Sequence, residues 1–492
     1  MTTDAALMLV AALATMLVVV AALPVLTGLF QFILVGGSVF HTHLDKAGPT
    51  TPRVSVLIPA WNEAAVIGTT IDRLMRLRYP LDRLRIYVVD DASSDETPSV
   101  VIGKMKEYPG NVFHIRRVDG GEGKAHTLNY GLDVLWRSDW TEAVLVMDAD
   151  VFYTPESLLK MARHLHDPEI GAVTAYIKEG SRSPNYVQRF VTFEYITATG
   201  ASRRAQNLLQ FLACLSGGAQ LHSRENLVAI GGQIFSNTLA EDTFTTFRTQ
   251  LRGRRAIFEP NAVVYAEEPD TLDGLWKQRI RWGRGNVQIT SVFRDLWFNR
   301  KAHASMGSLA MALLWFSIFL MPMFQIGASI GLFALYFLDE GAAWNLFNLF
   351  WIISGVVYLV VTLISLSVDP ESARKSWLEG ILFPGLVSLL IIAHSLFPPA
   401  FAPAAEWLAL DRDGWVATVL TLCLYAWISA SMAVSYAAKW WETRGHPRLA
   451  RAFLYVGGYG AFLCAVTVGA YVMEIGGAEM TWEKTEKTGK IG

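Results

Sequence analysis

Apolar and charged positions are segregated along this chain. Residues 5–43 contain no Asp, Glu, Lys or Arg, and neither do 304–338, 341–368, 380–405, 414–438 and 452–473. Each run is long enough to cross a bilayer as a helix, which takes ~20 predominantly apolar residues. Between the first run and the others lies a stretch of a different kind, in which short apolar runs alternate with helical spacing and polar turns. The pattern predicts one N-terminal span, a large folded domain and five C-terminal spans. The first run is too long, and lacks the basic start, for a cleavable signal peptide. With no charged turn to interrupt it, it reads as one helix rather than a hairpin at Pro24.

Within the domain, residues 54–58 read as a strand that Pro59 ends, since proline cannot continue a central ladder. Trp61, Asn62 and Glu63 then fall on the loop at its carboxyl end. Helical spacing follows from 67 to 77, a second strand over 85–89 ends in Asp90-Asp91, and a helix is expected over 97–107. A strand over 112–116 leads to the Gly-rich turn 120–124, and a helix over 125–136 leads to residues 144–150, Val-Leu-Val-Met-Asp-Ala-Asp. Alternation of this kind implies a parallel sheet that binds ligands at the carboxyl ends of its strands. Period two places Asp148 and Asp150 on one face of the last strand. Two adjacent carboxylates with hard oxygens suit Mg²⁺ or Mn²⁺ shared with a substrate diphosphate. The turn 120–124 lacks the spacing of a Walker loop, yet it can offer backbone N–H groups and the Lys124 ammonium to a phosphate.

Composition and charge narrow the picture further. The chain of 492 residues is 52% hydrophobic with a formal net charge of −2, and nucleic acid is not among its expected partners. Three cysteines, Cys214, Cys423 and Cys464, imply neither a disulfide framework nor a Cys-type zinc site. Placing the folded domain in the cytoplasm, with the later spans alternating, puts Arg374, Lys375, Lys439, Arg444, Arg448 and Arg451 inside. Asp339, Glu340, Glu406, Asp411 and Asp413 then fall outside with only Arg412 as a basic residue, in keeping with the positive-inside rule.

These residues resemble the membrane-embedded, inverting family 2 glycosyltransferases: cellulose, hyaluronan and chitin-type synthases and, closest in feel, bacterial poly-N-acetylglucosamine synthases. The resemblance runs from about Val54 to Asn286. Pro59-Ala-Trp-Asn-Glu63 is similar to the family's Pro-X-Tyr-Asn-Glu, with Trp61 for Tyr. Asp90-Asp91 is similar to the pair that contacts uridine, Lys124 with Asn129 to the Lys-Ala-X-X-Leu-Asn segment beside the diphosphate, and Asp148-Ala-Asp150 to the metal-binding Asp-X-Asp. Ser216-Gly217-Gly218-Ala219 resembles the small-residue turn near the acceptor. Ala240-Glu241-Asp242 resembles Thr-Glu-Asp, whose Asp is the general base, and Gln278 to Trp282 fits Gln-X-X-Arg-Trp.

The resemblance implies an α/β GT-A (Rossmann-like) cytoplasmic domain inserted between transmembrane helices. The expected division is 1–43, N-terminal span; 44–270, catalytic domain; 271–303, amphipathic interface helices; 304–474, five spans; and 475–492, tail. Asp242 and Glu241 are the expected catalytic pair. Pro59, Trp61, Glu63, Asp90, Asp91, Lys124, Asp148, Gln278 and Arg281 are expected on the donor, and Trp282, Gly217 and Gly218 on the acceptor. Asp148 and Asp150 are expected to hold Mg²⁺ or Mn²⁺. Asp242 also reads as an N-cap for a helix starting at Thr243, and Trp282 as an interfacial aromatic. Residues 184–211, with Arg203 and Arg204 toward headgroups, read either as a membrane-surface helix or as one packed on the sheet.

The implied activity is polymerisation of a β-linked polysaccharide from UDP-GlcNAc or UDP-glucose, with extrusion through the chain's own helices at the inner membrane. Expected partners are the UDP-sugar, the growing glycan or a lipid acceptor, membrane lipid and, leaving room for regulation, a partner subunit. Two other readings compete: a non-processive transferase that glycosylates a membrane lipid, and a transporter whose domain only binds nucleotide. Transporters keep charged residues inside their bundles, and these spans hold almost none beyond His394.

Overall fold

The computed structural model describes residues 3–40, 44, 46–401 and 414–480. The chain clusters into two compact units. One comprises Leu34–Asp270, Arg284–Ala312 and Ala478–Gly492; the other comprises Met1–Ile33, Thr271–Gly283 and Leu313–Gly477.

The first unit is built on an eight-stranded sheet. Its strands are β1 (Val54–Ala60), β2 (Leu84–Asp90), β3 (Val112–Arg116), β4 (Ala143–Val146), β5 (Val151–Tyr153), β6 (Ile170–Glu179), β7 (Gln220–Ser223) and β8 (Arg255–Ala266), ordered β3-β2-β1-β4-β7-β6-β8-β5. The first four are parallel, β7 runs antiparallel between β4 and β6, and β5 runs antiparallel to β8. The all-parallel sheet expected from the alternation is therefore corrected to a mixed one. The reason is that strict strand–helix alternation stops after β4, where a four-residue turn leads straight into β5.

The parallel half is buried on both faces, so its strands read as continuous apolar runs. Val54, Val56, Ile58, Ile86, Val88 and Leu145 pack with Ile67, Ile71 and Leu74 of the Ala64–Met75 helix and Val101 of the Thr97–Glu107 helix. Leu57, Val89, Val144 and Val146 face the other way, onto Leu128, Leu132 and Leu135 of the Lys124–Leu135 helix. That helix lies close: a Cβ on Gly131 would stand 2.5 Å from Leu57 Cδ1 and 2.7 Å from Val89 Cγ2.

Two expectations at the strand ends are corrected. Pro59 lies inside β1, in register with Val89. Odd-numbered residues of β1 face β4, as the Met147 N–H to Leu57 carbonyl bond shows. Pairing with β4 ends at Leu57, so the missing N–H of Pro59 falls where no partner strand remains. The Asp148–Asp150 segment is not strand: β4 stops at Val146, and the Val151 N–H donates to the Asp148 carbonyl at 3.2 Å, closing a turn. Period two does not apply there.

The 184–211 stretch belongs to the domain. The Tyr186–Glu194 helix buries Val187, Phe190, Val191 and Phe193, and Arg203 is buried rather than turned to headgroups. Buried His222 on β7 carries a pH signature. Burial pushes its imidazole down to about 4 from an ordinary 6.5. Below pH 6.5 the unfolded chain takes up a proton that the folded chain refuses, so stability present above 6.5 drains away as pH falls toward 4. The contribution is about 3 kcal/mol. Thermal denaturation of the full chain between pH 7 and 4 should show this loss, and His222→Gln should flatten it; an unchanged pH slope in the variant would remove His222 as the cause.

The second unit is helical. Among the described residues, Asp4–Phe40, Met321–Leu338, Glu340–Val368 and Trp415–Thr443 are long and apolar enough to cross a membrane. The N-terminal run continues past a two-residue interruption at Ala21–Ala22, without folding back as a hairpin. The run 304–338, expected as one span, is two helices, Leu309–Phe319 and Met321–Leu338, broken where Pro322 enters the second. Two helix pairs are bent: Pro370–Ile381, which covers the expected loop with Arg374 and Lys375, with Leu386–Leu396 at 79°, and Pro447–Gly457 with Tyr459–Ile475 at 96°. Glycine permits both bends. Gly385 and Gly458 have φ of +89° and +100°, and a Cβ on Gly385 would meet the Gly457 carbonyl carbon at 2.6 Å. The stretch 402–413, part of an expected outer loop, lies outside the described residues.

Candidate active site

The carboxyl ends of β1 and β2 are tied into one edge. Asn62 sits at φ +54°, a left-handed conformation that Asn tolerates. Its Oδ1 accepts the Ser94 N–H at 2.9 Å, and its own N–H donates to Ser93 Oγ at 2.9 Å. The Glu63 N–H donates to Thr97 Oγ1 at 2.8 Å. Trp61, the neighbour of Asn62, is 46% exposed.

Asp90 and Asp91 have different surroundings. Asp90 is fully buried, accepts the Ser93 N–H at 2.8 Å and faces His114 Nε2 at 3.3 Å and Arg116 at 3.4 Å. Asp91 accepts from Arg117 and, at 3.0 Å, from the Gly121 N–H. Arg117 also donates to Glu122 and so clamps the Gly-rich turn to the end of β2. One backbone donor that the sequence offers to a phosphate is thus engaged by Asp91. A Cβ on Gly120 would come within 2.4 Å of the Asp91 carbonyl oxygen, which is why this turn must start with glycine.

The loops after β3 and β4, the segment before β7 and the start of the Glu241–Leu251 helix converge on a second cluster. Lys124 Nζ stands 2.6 Å from Asp148 Oδ1, 3.7 Å from Glu241 Oε1 and 3.2 Å from the Gly217 carbonyl. A Cβ on Gly217 would lie 3.2 Å from Asp242 Oδ2 and 3.4 Å from Lys124 Nζ; one on Gly218 would lie 3.1 Å from Asp148 Oδ2. Burial alone would lower the Lys124 ammonium, but the Asp148, Glu241 and Asp242 carboxylates outweigh it and push it up to about 12. The turn Ser216–Ala219 is small because three charged side chains crowd against it.

Asp242 is not the N-cap that one reading allowed. The helix starts at Glu241, Ala240 is the capping residue without a side-chain bond, and Asp242 lies in the first turn. Its Oδ1 accepts the Thr243 N–H at 2.6 Å, while its Oδ2 is the oxygen facing Gly217. Behind the turn, buried Arg203 donates to Ser216 Oγ and lies 6.0 Å from the Phe258 ring centre. Arg117 does not stand out in the sequence, because its partner Asp91 lies on a different strand end, and Arg203, expected at headgroups, is the partner of Ser216 instead.

The structure thus brings together Lys124, Asp148, Gly217, Gly218, Glu241 and Asp242, and separately Pro59, Trp61, Glu63, Asp90 and Asp91 along one strand edge. Gln278, Arg281 and Trp282 lie on the Leu272–Val292 helix, in the part that clusters with the apolar helices. There Arg279 stacks 4.0 Å over the Trp282 ring and donates to Gln278 at 2.6 Å. The donor set of the Asp148 turn fits a hard divalent cation. Asp148 is 38% exposed and already attracts an ammonium, while Asp150 two residues on is nearly buried. Among the described residues no three His, Cys, Asp or Glu side chains form a metal cage, so such an ion needs oxygens from the substrate as well.

The family described as "Glycosyltransferase like family 2" matches residues 52–285. The chain is 29% identical over 249 residues to a poly-beta-1,6-N-acetyl-D-glucosamine synthase of Staphylococcus aureus, a match covering 50% of this chain and 57% of that one. It thus spans little more than half the length of that relative. It is also 29% identical over 331 residues to the probable glycosyltransferase YdaM of Bacillus subtilis, covering 66% of this chain and 76% of that one. Among solved structures, the mannosyltransferase PcManGT of Pyrobaculum calidifontis, in complex with GDP-Man and Mn²⁺, aligns with a TM-score of 0.53 at 23% identity. That alignment covers 73% of this chain and 98% of that one.

Proposed function

We propose, from the family 2 glycosyltransferase match of residues 52–285 and its GT-A fold, that this chain is an inverting, metal-dependent synthase. It builds a β-linked polysaccharide from UDP-GlcNAc or UDP-glucose at the cytoplasmic face of the inner membrane and passes the product through its own helices. The observation that carries this reading is the convergence of Lys124, Asp148, Glu241 and Asp242 on the Gly217–Gly218 turn at the sheet's carboxyl edge. The Staphylococcus aureus relative supports UDP-GlcNAc over UDP-glucose.

Each residue then has a task. Trp61 stacks on the donor base and Asp91 holds the uridine edge, with Arg117 fixing Asp91 and the fully buried Asp90 ordering the loop beneath it. Lys124 donates charge-assisted hydrogen bonds to the diphosphate. Asp148 and Asp150 would hold a divalent cation, which would supply positive charge to the departing diphosphate. The acceptor hydroxyl oxygen bonds to the sugar's anomeric carbon on the face opposite UDP, whose C–O bond breaks with its electrons passing to the β-phosphate oxygen. Asp242 Oδ2 takes the hydroxyl proton, and the missing side chains of Gly217 and Gly218 leave room for the acceptor. Membrane lipid surrounds the apolar helices, and a partner subunit fits the same scheme.

The test is UDP release by the full chain in nanodiscs with Mg²⁺ or Mn²⁺, offering UDP-GlcNAc and UDP-glucose separately and sizing the labelled product. A high-molecular-weight glycan from one donor is expected. A single-sugar lipid would replace the synthase with a lipid transferase, and no UDP release from either donor would sink the donor assignment.

A further inference from the structure

The Leu272–Val292 helix changes company along its length. From Arg284 onward it belongs to the unit that holds the sheet, and there it packs on the segment leading into Asp242. A Cβ on Gly285 would stand 2.6 Å from Ala240 Cβ, 3.0 Å from Ala240 N and 3.2 Å from the Leu239 carbonyl carbon. One turn later, Gln288 Oε1 accepts the Leu239 N–H at 2.9 Å and the Thr238 hydroxyl at 3.1 Å. Thr238 Oγ1 in turn accepts the Ala240 N–H at 3.2 Å. The far side of the Glu241–Leu251 helix is fastened by rings: Phe244 lies 5.3 Å from Phe293, and Phe247 lies 5.1 Å from Phe293 and 6.0 Å from Trp297.

We propose that Gly285 and Gln288 are positioning residues for Asp242. This rests on Asp242 being the general base. Ala240 caps its helix without a side-chain bond, so the entry into the helix is fixed from outside. Gln288 holds the two residues before Ala240 by their donors, and Gly285 lets the neighbouring helix close to backbone contact. The same fit accounts for the small residue at 240, since Ala240 Cβ already points at the Gly285 backbone. Asp242 lies two residues beyond this contact and moves with it. A methyl group at 285 cannot remain 2.6 Å from Ala240 Cβ. Ordinary carbon contacts lie at about 3.5–4.0 Å, so the two segments must separate by about 1 Å, and the share taken by Ala240 carries Asp242 with it. Displacements of that size cost reaction rate by up to about 100-fold while leaving remote binding groups in place.

The test uses the full chain in nanodiscs with Mn²⁺, measuring kcat for UDP release from whichever of the two UDP-sugars it turns over. UDP affinity by calorimetry and the melting temperature are read alongside. Gly285→Ala should lower kcat about 10- to 100-fold with UDP affinity within about twofold. Adding Ala240→Gly, which deletes the atom that the new methyl group meets, should recover part of the rate. Gln288→Leu keeps the side-chain volume but loses the acceptor, and it should lower kcat in the same way; it carries the test if Gly285→Ala does not fold. Wild-type kcat in both variants, or a loss matched by lost UDP affinity and not relieved by Ala240→Gly, overturns the proposal. Asp242→Asn separates the two levels. If Asp242→Asn turns over normally, or the wild type turns over neither sugar, the functional reading fails and this role fails with it. If Asp242→Asn is inactive while Gly285→Ala and Gln288→Leu are normal, only the positioning role fails.

Discussion

Asp242→Asn should lower glycosyl transfer by about 10²- to 10⁴-fold, the range set by losing a positioned general base, and leave UDP binding intact. The substitution is close to isosteric. An Asn side-chain oxygen can still accept the Thr243 N–H that Oδ1 accepts at 2.6 Å, so the first turn of the helix is preserved. What is lost is the charge and proton affinity at Oδ2, the oxygen that faces Gly217. Glu241 is the internal comparison. It is 6% exposed, and its carboxylate lies 3.7 Å from the Lys124 ammonium, which favours a charge-balancing task over proton transfer. Glu241→Gln should therefore cost less than Asp242→Asn, and most of its cost should appear in donor affinity. A reversed ranking in initial rates at saturating donor would move the base to Glu241.

The sequence made the parallel half of the sheet legible because its strands are apolar on both faces and each ends in a polar loop. β2, β3 and the helices after β2 and β3 lie within a residue or two of their expected bounds. What failed was local geometry just past the strand ends. Asp148 and Asp150 were expected on one strand face, yet the chain turns between Asp148 and Val151 on its way to β5, which pairs with β8 at the far edge of the sheet. Pro59 continues β1 because its neighbour strand is shorter than its partner on the other side. Neither fact is contained in local composition, since both depend on where another strand stops. The antiparallel half is hidden for a related reason: β5 and β7 have three and four residues, too few to show a period. The site's carboxylates were legible as motifs, whereas the groups that fix them, Arg117, Arg203, Gly285 and Gln288, act on residues of other elements and leave no local pattern. In the helical unit, length and apolarity marked the segments, but the bends at Gly385 and Gly458 come from backbone contact between two segments, which no single segment reveals.

Lys124→Met should separate two tasks of one ammonium by moving two measurements in opposite directions. In the structure Lys124 is the cation between Asp148 and Glu241, and together with Asp242 these carboxylates keep it protonated throughout the neutral range. Removing it leaves like charges facing each other around the Gly217–Gly218 turn, a repulsion that any divalent cation relieves. Mn²⁺ affinity in the absence of nucleotide should therefore tighten by about tenfold or more, since each 1.4 kcal/mol of relieved repulsion is worth a factor of ten. Transfer should nevertheless fall by about 10²- to 10³-fold, as when one preorganised donor is taken from a developing anion, because the departing diphosphate loses its ammonium partner. Arg203→Gln is the control for a general change of field: it removes a buried cation near Asp242 that donates to Ser216 and makes no ion pair with Asp148. It should leave Mn²⁺ affinity within about twofold, because a charge without direct contact is screened by the effective dielectric of the site. Titration of Mn²⁺ by electron paramagnetic resonance, with and without UDP, reads this directly. Tightening confined to Lys124→Met identifies Lys124 as the ammonium that occupies Asp148 until donor and metal arrive together. Equal tightening in both variants would reduce it to one charge among several, and weaker Mn²⁺ binding in Lys124→Met would place the metal elsewhere than at Asp148.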